Sequence, residues 1–583
     1  MIPSKAQIKA LEEPLDYCLS RRPIFGFDAN ETLLLVANAA ETASVHNLDG
    51  AMHSTLSHGI DAYAAHLVSG RQGPAPDIEQ VIADLVFGAH YQSLRELLYY
   101  SYNAPGTIDW TLADGRIELR YVDRSLPRQF FTTLNEWVMG SLAHFHDNSV
   151  SEQITSMLKG LPEWELTDAH KAIAPLLEAE ANHKLAAYFS ILNRDAEIDL
   201  GGYSYRQFTA VYRLLLIKAL YHRHHAVANN TAGCVFIDPA ALVSDIAQES
   251  TLEAATIEAI LCDLVYDGNA VRQRVDATYF ALHRQGRSTG HILMQPTGFS
   301  MAEGLVQLLR VVAKRRPRAF LTNVSNMLGS AFVARAAKTF EAQGFICRTD
   351  VSLRRIDPGL PDIDLLVISE EPTLGFVLLV CEVKSPLPPL WAKDRLRALE
   401  PTNISKAFRQ AEAIRSFLSM PDGVNFVRSL VPKDGIEHFD SFVVIVKQLI
   451  ITSDNGGMFF DQEEMPVMNF RTMERLLARC DGDISYLLHF FRGYKEAADA
   501  YYETPMATLD LDGLEIAYEQ VQVRSPFDFP QHMWRSDGTR ERVIADFVTD
   551  GHHPFDSLQG KVAVKVPGVD AFLLRDTEGN AQE

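Results

Sequence analysis

The chain has 583 residues and a formal net charge of −21 at pH 7, with 47% hydrophobic and 22% charged residues. This composition is that of an ordinary globular protein and excludes a disordered or low-complexity chain. The length predicts roughly three or four domains.

The sequence shows none of the marks of a membrane or secreted protein. No apolar run approaches the ~18 residues of a membrane span, and the first residues lack the basic and apolar regions of a signal peptide. The six cysteines are scattered without a C-x-x-C pair, which argues against a disulfide framework or a thiolate zinc site. We therefore expect a cytoplasmic protein without a membrane partner.

Residues 1–230 are predicted to form a mostly helical scaffold or sensor region. Residues 77–102 and 205–225 have helical patterns, and residues 107–122 predict one β-hairpin with its turn at 113–115. We expect this region to form a homo-oligomer or to bind a protein partner.

Two histidine clusters in this region are candidates for metal ligands. His222, His224 and His225 lie at the end of a basic helix, and His144 and His146 lie upstream. Neither cluster has a spaced set of partner ligands. Cationic side chains near a helix C-terminus are also favoured by the helix dipole. We therefore favour a structural role for both clusters.

Residues 231–300 predict a winged-helix-like module. A helix follows Pro239, a short polar turn lies at 249–251, and a second helix and two strands follow. The second helix carries Glu253, Glu258 and Asp263 but no arginine or lysine, whereas base readout in DNA needs donors of that kind. The pattern favours a structural or protein-binding module over a reader of DNA sequence.

Residues 301–505 show a regular alternation of helical and strand patterns. The predicted elements are a helix at 325–345 that stops at Gly344, a strand at 345–356, a hairpin at 361–384, a helix at 403–418 and a strand at 441–451.

The remaining sequence is less regular. Residues 468–503 predict two helices, and residues 561–574 have a strand pattern within a tail that is rich in Pro, Gly and Asp. We expect residues 506–583 to be a small C-terminal extension.

The hairpin at 361–384 holds charged residues at the ends of apolar strands. Glu382 and Lys384 lie on one face of the second strand, because side chains alternate along a strand. Asp364 enters the neighbouring strand and brings a second carboxylate to the same place. A buried carboxylate is costly unless it is paired or binds a cation. Two carboxylates with a backbone carbonyl suit Mg²⁺.

These elements and residues resemble the PD-(D/E)XK superfamily, the restriction-endonuclease-like phosphodiesterases. The match is Pro361-Asp362, or Asp364 in its IDLL context, followed by Glu382-Val383-Lys384. Helix, three strands, helix and strand is the order expected of the family's core. Many members carry another acidic residue on the first core helix, whereas here Glu341 arrives only near its end. The number of metal ions therefore stays open.

The resemblance implies an enzyme that hydrolyses phosphodiester bonds in DNA with Mg²⁺, for which Mn²⁺ is a substitute. Asp364, Glu382 and the Val383 carbonyl would hold the metal, with Asp362 as the competing candidate, and Lys384 would position or activate water. By analogy with the family, the protein would act as an effector of a prokaryotic defence or restriction-type system. The alternative is a catalytically inactive nuclease fold that binds nucleic acid or serves as an assembly scaffold.

The helix at 403–418 supplies two further candidates. Lys406 and Gln410 are four residues apart and so lie on one face of the helix. Members of the family often have a Gln or Lys here near the phosphate. The resemblance therefore implies that Gln410, with Lys406 as a secondary candidate, steadies phosphate or water.

The strongly negative net charge argues against binding of nucleic acid by the chain as a whole. Phosphate binding depends on local charge, however, and the chain has local basic clusters. The predicted contacts to nucleic acid are Lys314, Arg315, Arg316, Arg318, Arg354 and Arg355. The alternative for these residues is a solvated surface.

Taken together, the sequence predicts a multidomain α+β protein. A mostly helical region (1–230) and the winged-helix-like module (231–300) precede an α/β restriction-endonuclease-like domain with a mixed central sheet (301–505). The small extension (506–583) completes the chain.

Overall fold

The computed structural model divides the chain into two compact units. The first comprises residues 1–122, 140–327 and 506–520, and the second comprises residues 123–139, 328–505 and 521–583. Besides Met1 and gaps of up to five residues, the described part of the chain leaves out 125–147, 269–279, 433–442, 454–464, 485–501, 524–560, 566–571 and 577–583.

The first unit is mostly helical, as predicted. Its helices are α1 (Lys5–Ser20), α2 (Ala29–Val45), α3 (Gly50–Leu67), α4 (Ile78–Asn103), α5 (Asn148–Leu158), α6 (Asp168–Tyr188), α7 (Tyr205–Asn229), α8 (Pro239–Ser250), α9 (Ala254–Leu264), α10 (Pro296–Ser300) and α11 (Gly304–Arg315). Helices α1 and α7 each begin with a reciprocal capping box, in which a serine and the glutamine three residues later bond each other's backbone N–H. Of the helices described, none is long and apolar enough to cross a bilayer.

The predicted hairpin at 107–122 is present and belongs to a larger sheet. Strands β1 (Ile108–Ala113) and β2 (Arg116–Tyr121) pair antiparallel. Near the C-terminal end of the chain, β13 (Met506–Leu511) and β14 (Leu514–Glu519) form a second hairpin, and β14 pairs in parallel with β2. The sheet order is β1-β2-β14-β13.

The region predicted as a winged-helix-like module contains two helices and a sheet of short strands. Asp238 caps α8 by accepting from the Ala241 N–H, and α8 ends at Thr251 in the left-handed region. Strands β3 (Val235–Ile237), β4 (Val265–Tyr266), β5 (Leu282–Arg284) and β6 (Ile292–Met294) form a sheet of order β3-β6-β5-β4. The two predicted helices are present and strands follow them as predicted, whereas β3 before α8 was not predicted. The winged-helix assignment stays a prediction.

A buried ion-pair cluster joins two helices of this first unit. The carboxylate of Asp263 on α9 is 3% exposed, and it binds the guanidinium groups of Arg315 and Arg316 at the end of α11. The Tyr203 hydroxyl also donates to Asp263. One carboxylate thus satisfies three donors away from solvent, which is the condition under which a charge is tolerated in a protein interior.

The second unit is built on a mixed central sheet, as predicted. Helix α12 (Asn326–Glu341) precedes β7 (Ile346–Val351), β8 (Ile363–Glu371) and β9 (Gly375–Lys384). Helices α13 (Ala392–Ala398), α14 (Ile404–Leu418) and α15 (Pro421–Leu430) then lead to β10 (Val443–Thr452), β11 (Val467–Asn469) and helix α16 (Phe470–Cys480). Strands β7, β8 and β9 pair antiparallel, whereas β9 and β10 are parallel.

Helix α14 packs on one face of this sheet. Its buried residues Ile404, Ala407, Ala411, Ile414 and Leu418 recur every three or four positions, which is the spacing of one helix face. The face of β8 and β9 that carries Leu366, Leu378 and Val380 forms a single apolar cluster with residues of α14 and α15. The β9-α14-β10 unit is therefore a crossover between parallel strands.

The C-terminal region differs from the separate extension that we expected. Residues 506–519 belong to the sheet of the first unit, and β16 (Lys561–Lys565) and β17 (Phe572–Asp576) extend the central sheet beyond β10. The strand pattern at 561–574 is thus present. A short strand pairs with an exposed strand edge that is distant in the chain, and the residues of the short strand carry no pattern that identifies this edge. The second helix predicted within 468–503 lies outside the described residues.

We predict that Asp263→Ala strongly destabilises the first unit. The substitution leaves two mostly buried guanidinium groups without their carboxylate, which costs about 3–5 kcal/mol. Urea unfolding checks this, with Glu197→Gln as the control, since Glu197 pairs with Arg206 at the surface. An Asp263→Ala protein as stable as the control would contradict the prediction.

Candidate functional site

The candidate site lies where strand β8 begins and strand β9 ends. The antiparallel register pairs Leu365 with Cys381, and one further step along it puts Asp364 opposite Glu382. Here the side chain of Asp364 accepts a hydrogen bond from the Val383 N–H at 2.8 Å. The aspartate carboxylate is therefore held against the neighbouring strand.

Lys384 connects the two carboxylates. Its ammonium group donates to Glu382 Oε1 and lies 3.7 Å from Asp364 Oδ2. The Glu382 side chain is 3% exposed, whereas those of Asp364 and Lys384 are 29% and 21% exposed. The glutamate is therefore the deep member of the cluster, and the other two residues connect it to solvent.

Burial dominates the electrostatics of Glu382. It raises the pKa of this carboxyl group to about 7. The ammonium of Lys384 lowers the pKa, and the negative charge of Asp364 raises it. The second oxygen, Glu382 Oε2, is buried and has no hydrogen-bond partner among the described residues.

An unpartnered buried carboxylate oxygen fits a cation. Hard divalent cations such as Mg²⁺ take carboxylate oxygens and keep several waters as further ligands. Among the described residues, no group of three or more His, Cys, Asp or Glu side chains is arranged to hold a metal ion. A metal at this site would therefore have Glu382 and Asp364 as its two carboxylate ligands.

The structure distinguishes between Asp362 and Asp364, which the sequence left as competing ligands. Asp362 precedes β8, where it accepts from the Ser352 hydroxyl at 3.0 Å and pairs with Arg354 at 3.3 Å. Only Asp364 is held beside Glu382 and Lys384. Val383 contributes its N–H to this arrangement, and the metal-binding role of its carbonyl stays a prediction.

Gln410 and Lys406 lie on the side of α14 that faces β9. Ala407 shares a buried cluster with Ile450 of β10 and Val467 of β11, and Phe408 packs against this cluster. Strand β11 lies on the far side of β10 from β9. Successive helix residues differ by about 100°, so Gln410 lies about 60° from Ala407 in the direction opposite to Phe408. Gln410 Oε1 is buried without a partner in the described part of the chain, and Lys406 is exposed.

Gln448 is a buried polar residue near Glu382 in the sheet register that the sequence reasoning missed. It lies in the apolar strand β10, is 7% exposed, and donates from Nε2 to the Ala411 carbonyl of α14 at 2.7 Å. The glutamine inside a run of Val, Ile and Leu was the signal in the sequence that could have identified it. A buried amide costs free energy unless it is hydrogen-bonded, so a glutamine in a buried strand indicates a specific partner.

The predicted nucleic-acid contacts divide into two kinds. Arg315 and Arg316 bind the buried Asp263, so the structure gives these two arginines a structural role instead. Their acidic partner, Asp263, is about fifty residues away in the sequence, and the basic run alone does not indicate this ion pair. Arg318, Arg354 and Arg355 are exposed, and Lys314 is half-buried.

The described histidine cluster is structural, as we favoured. His224 is buried between Glu180, 2.7 Å from its Nε2, and Thr155, 3.2 Å from its Nδ1. His225 Nε2 lies 2.8 Å from the Leu161 carbonyl. His144 and His146 lie outside the described residues.

We predict that Glu382→Gln stabilises the metal-free protein at alkaline pH. Because the folded-state pKa is above the ordinary value of 4.5, the stability associated with the protonated glutamate is present below pH 4.5 and lost as the pH rises through 7. A neutral glutamine avoids this loss, which by linkage is worth up to ~3 kcal/mol.

Urea unfolding in EDTA at pH 5 and pH 8 measures this difference. Glu370→Gln, an exposed position on β8, is the matched control. If Glu382→Gln gains no more stability at pH 8 than the control does, the prediction is wrong.

Comparison of the chain with protein-family models, with curated proteins and with solved structures gives no match.

Proposed function

We propose that this protein is a metal-dependent nuclease that hydrolyses phosphodiester bonds in DNA. The observation that carries the proposal is the orphaned oxygen of the buried Glu382, beside Asp364 and Lys384 at the open end of a hairpin. A buried carboxylate of this kind weakens the fold unless a ligand compensates for it. Binding of a cation would provide this compensation.

The residues present suit Mg²⁺, with Mn²⁺ as a substitute. When bound, the ion would supply positive charge to a phosphate and so favour attack on phosphorus. Glu382 and Asp364 would hold the cation, and the N–H of Val383 fixes the aspartate in place. Because Asp364 is partly exposed, a phosphate has access to the site from solvent.

Lys384 has a second task in this proposal. In the metal-free protein its ammonium neutralises the two carboxylates. With a divalent cation bound, the Lys384 ammonium would no longer be needed for that neutralisation and would be available to orient water or to stabilise charge on the phosphate. On α14, Gln410 accepts a hydrogen bond from water, and the exposed Lys406 contacts phosphate.

The surface of the second unit supports a polyanionic substrate. Arg354 and Arg355 are exposed in the segment between β7 and β8, directly before Asp362 and Asp364 in the chain. Arginines placed there would hold the phosphate backbone near the carboxylates. Within the proposal, the helical first unit and its winged-helix-like region bind a protein partner or a second copy, as in an effector of prokaryotic defence.

We predict that cleavage depends on Asp364 and not on Asp362. Asp364→Asn, Glu382→Ala and Lys384→Ala should each lower kcat at least 100-fold, because each removes a charged group of the site. Asp362→Asn is the matched control and should retain most of the activity, since Asp362 pairs with Arg354 instead.

The assay uses plasmid, linear duplex, single-stranded DNA and RNA with Mg²⁺ or Mn²⁺, and folding is checked by circular dichroism. Equal cleavage by wild type and by the Glu382 and Lys384 variants would contradict the proposal. DNA binding without hydrolysis by any of these proteins would favour the scaffold alternative.

We also predict that the double variant Arg354→Ala/Arg355→Ala binds DNA more weakly. Loss of two phosphate contacts should reduce the slope of log affinity against log salt by about two. Fluorescence anisotropy with the Glu382→Ala protein as background measures binding without cleavage. Arg206→Ala, an exposed arginine of the first unit, serves as the control, and an equal salt slope for the two proteins would refute the prediction.

A further inference from the structure

Gln448 occupies an unusual position beside the proposed site. It pairs with Val380 on β9, two residues before Glu382, and therefore lies on the same face of the sheet as Glu382. One strand spacing and two residues of rise separate the two Cα atoms by roughly 8 Å. The side chains of Gln448 and Glu382 are thus close neighbours beneath α14.

Of the two polar atoms in the Gln448 carboxamide, only the nitrogen makes a hydrogen bond to a described residue. Its Nε2 donates to the Ala411 carbonyl of α14, whereas its Oε1 is buried with no hydrogen-bond partner in the described part of the chain. An apolar side chain of the same size would pack there without an unsatisfied oxygen. The cost of the unsatisfied oxygen therefore offsets the hydrogen bond from the nitrogen, which points to a separate role for the oxygen.

Three buried oxygens of residues on α14 and on the sheet beneath it have no hydrogen-bond partner among the described residues. They are Glu382 Oε2, Gln410 Oε1 and Gln448 Oε1. Gln410 is on the β9 side of α14, and it immediately precedes Ala411, to which Gln448 is bonded. When Glu382 is ionised, as it would be with a cation bound, all three atoms are acceptors and none of them can satisfy another. What they require is a donor from outside the side chains, and water is the smallest molecule that provides one.

We infer that Gln448 is a positioning residue for the proposed hydrolysis. Its amide nitrogen fastens α14 to β10 at Ala411. Its oxygen, together with that of Gln410, accepts hydrogen bonds from one ordered water and so orients it towards the phosphate that reacts beside Glu382 and Lys384. A water molecule has two hydrogens, which matches the two carboxamide oxygens. The inference rests on the proposed nuclease function.

A double-mutant cycle with Gln448→Met and Gln410→Met tests this inference. Each single variant should lower kcat about 10- to 100-fold with little change in KM, because orientation of the water affects the reaction and not substrate binding. If the two oxygens hold one water, the double variant should lose no more than the worse single variant. Lys447→Met is the control, because Lys447 is buried on β10 next to Gln448 but on the opposite face.

Two measurements without turnover accompany the kinetics. The Mn²⁺ dissociation constants of the Gln448 and Gln410 variants should stay within about threefold of wild type, because neither residue is a metal ligand in this proposal. The thermal midpoint of metal-free Gln448→Met should stay close to that of wild type, because the change removes both the unsatisfied oxygen and the hydrogen bond from Nε2 to the Ala411 carbonyl.

The outcomes separate the two claims. Wild-type protein that binds Mn²⁺ but cleaves no nucleic acid overturns the proposed function and the inference with it. Wild-type cleavage with additive losses in the cycle, or with unchanged kcat in Gln448→Met, overturns the inference alone. A clearly lowered thermal midpoint of Gln448→Met also overturns it, because Gln448 would then be explained by stability.

Discussion

The burial of one carboxylate, Glu382, is the constraint on which the second unit depends. Its strand lies inside a mixed sheet, where a charge is unfavourable unless nearby groups compensate for it. Lys384 compensates at one oxygen, and the other oxygen stays unpartnered among the described residues. The raised pKa of the glutamate has the same cause, because burial favours the protonated form over the charged form. A bound divalent cation would stabilise the charged carboxylate.

The surrounding fold brings the partners of this carboxylate together. The antiparallel hairpin sets Asp364 opposite Glu382, and the parallel pairing of β9 with β10 requires a crossover that places α14 over the same face. Backbone pairing thus brings the Asp364 carboxylate and the Lys384 ammonium to Glu382 at the open end of the hairpin, and helix packing bonds Gln448 to α14. The apolar cluster beneath α14 and α15 keeps them in place.

The first unit shows that a charged cluster is not by itself a binding surface. Arg315 and Arg316 form part of a basic run in the sequence, yet Asp263 binds both of them in the interior. His224 is likewise bonded to Glu180 and Thr155. In both cases the partner is distant in the chain, so a local pattern of charge could not distinguish a buried ion pair from a solvated face.

The sequence by itself determined the local elements and the chemical types at the site. Apolar periodicity located the hairpin, α14 and β10, since burial of one face or both faces imposes a repeat on the chain. It also placed Glu382 and Lys384 on one face. Only the tertiary structure placed Asp364, and not Asp362, beside Glu382, bonded Gln448 to α14 and assigned residues 506–519 to the sheet of the first unit. Those outcomes depend on which strand ends and helix faces meet in space, and a local sequence pattern carries no record of a partner that is distant in the chain.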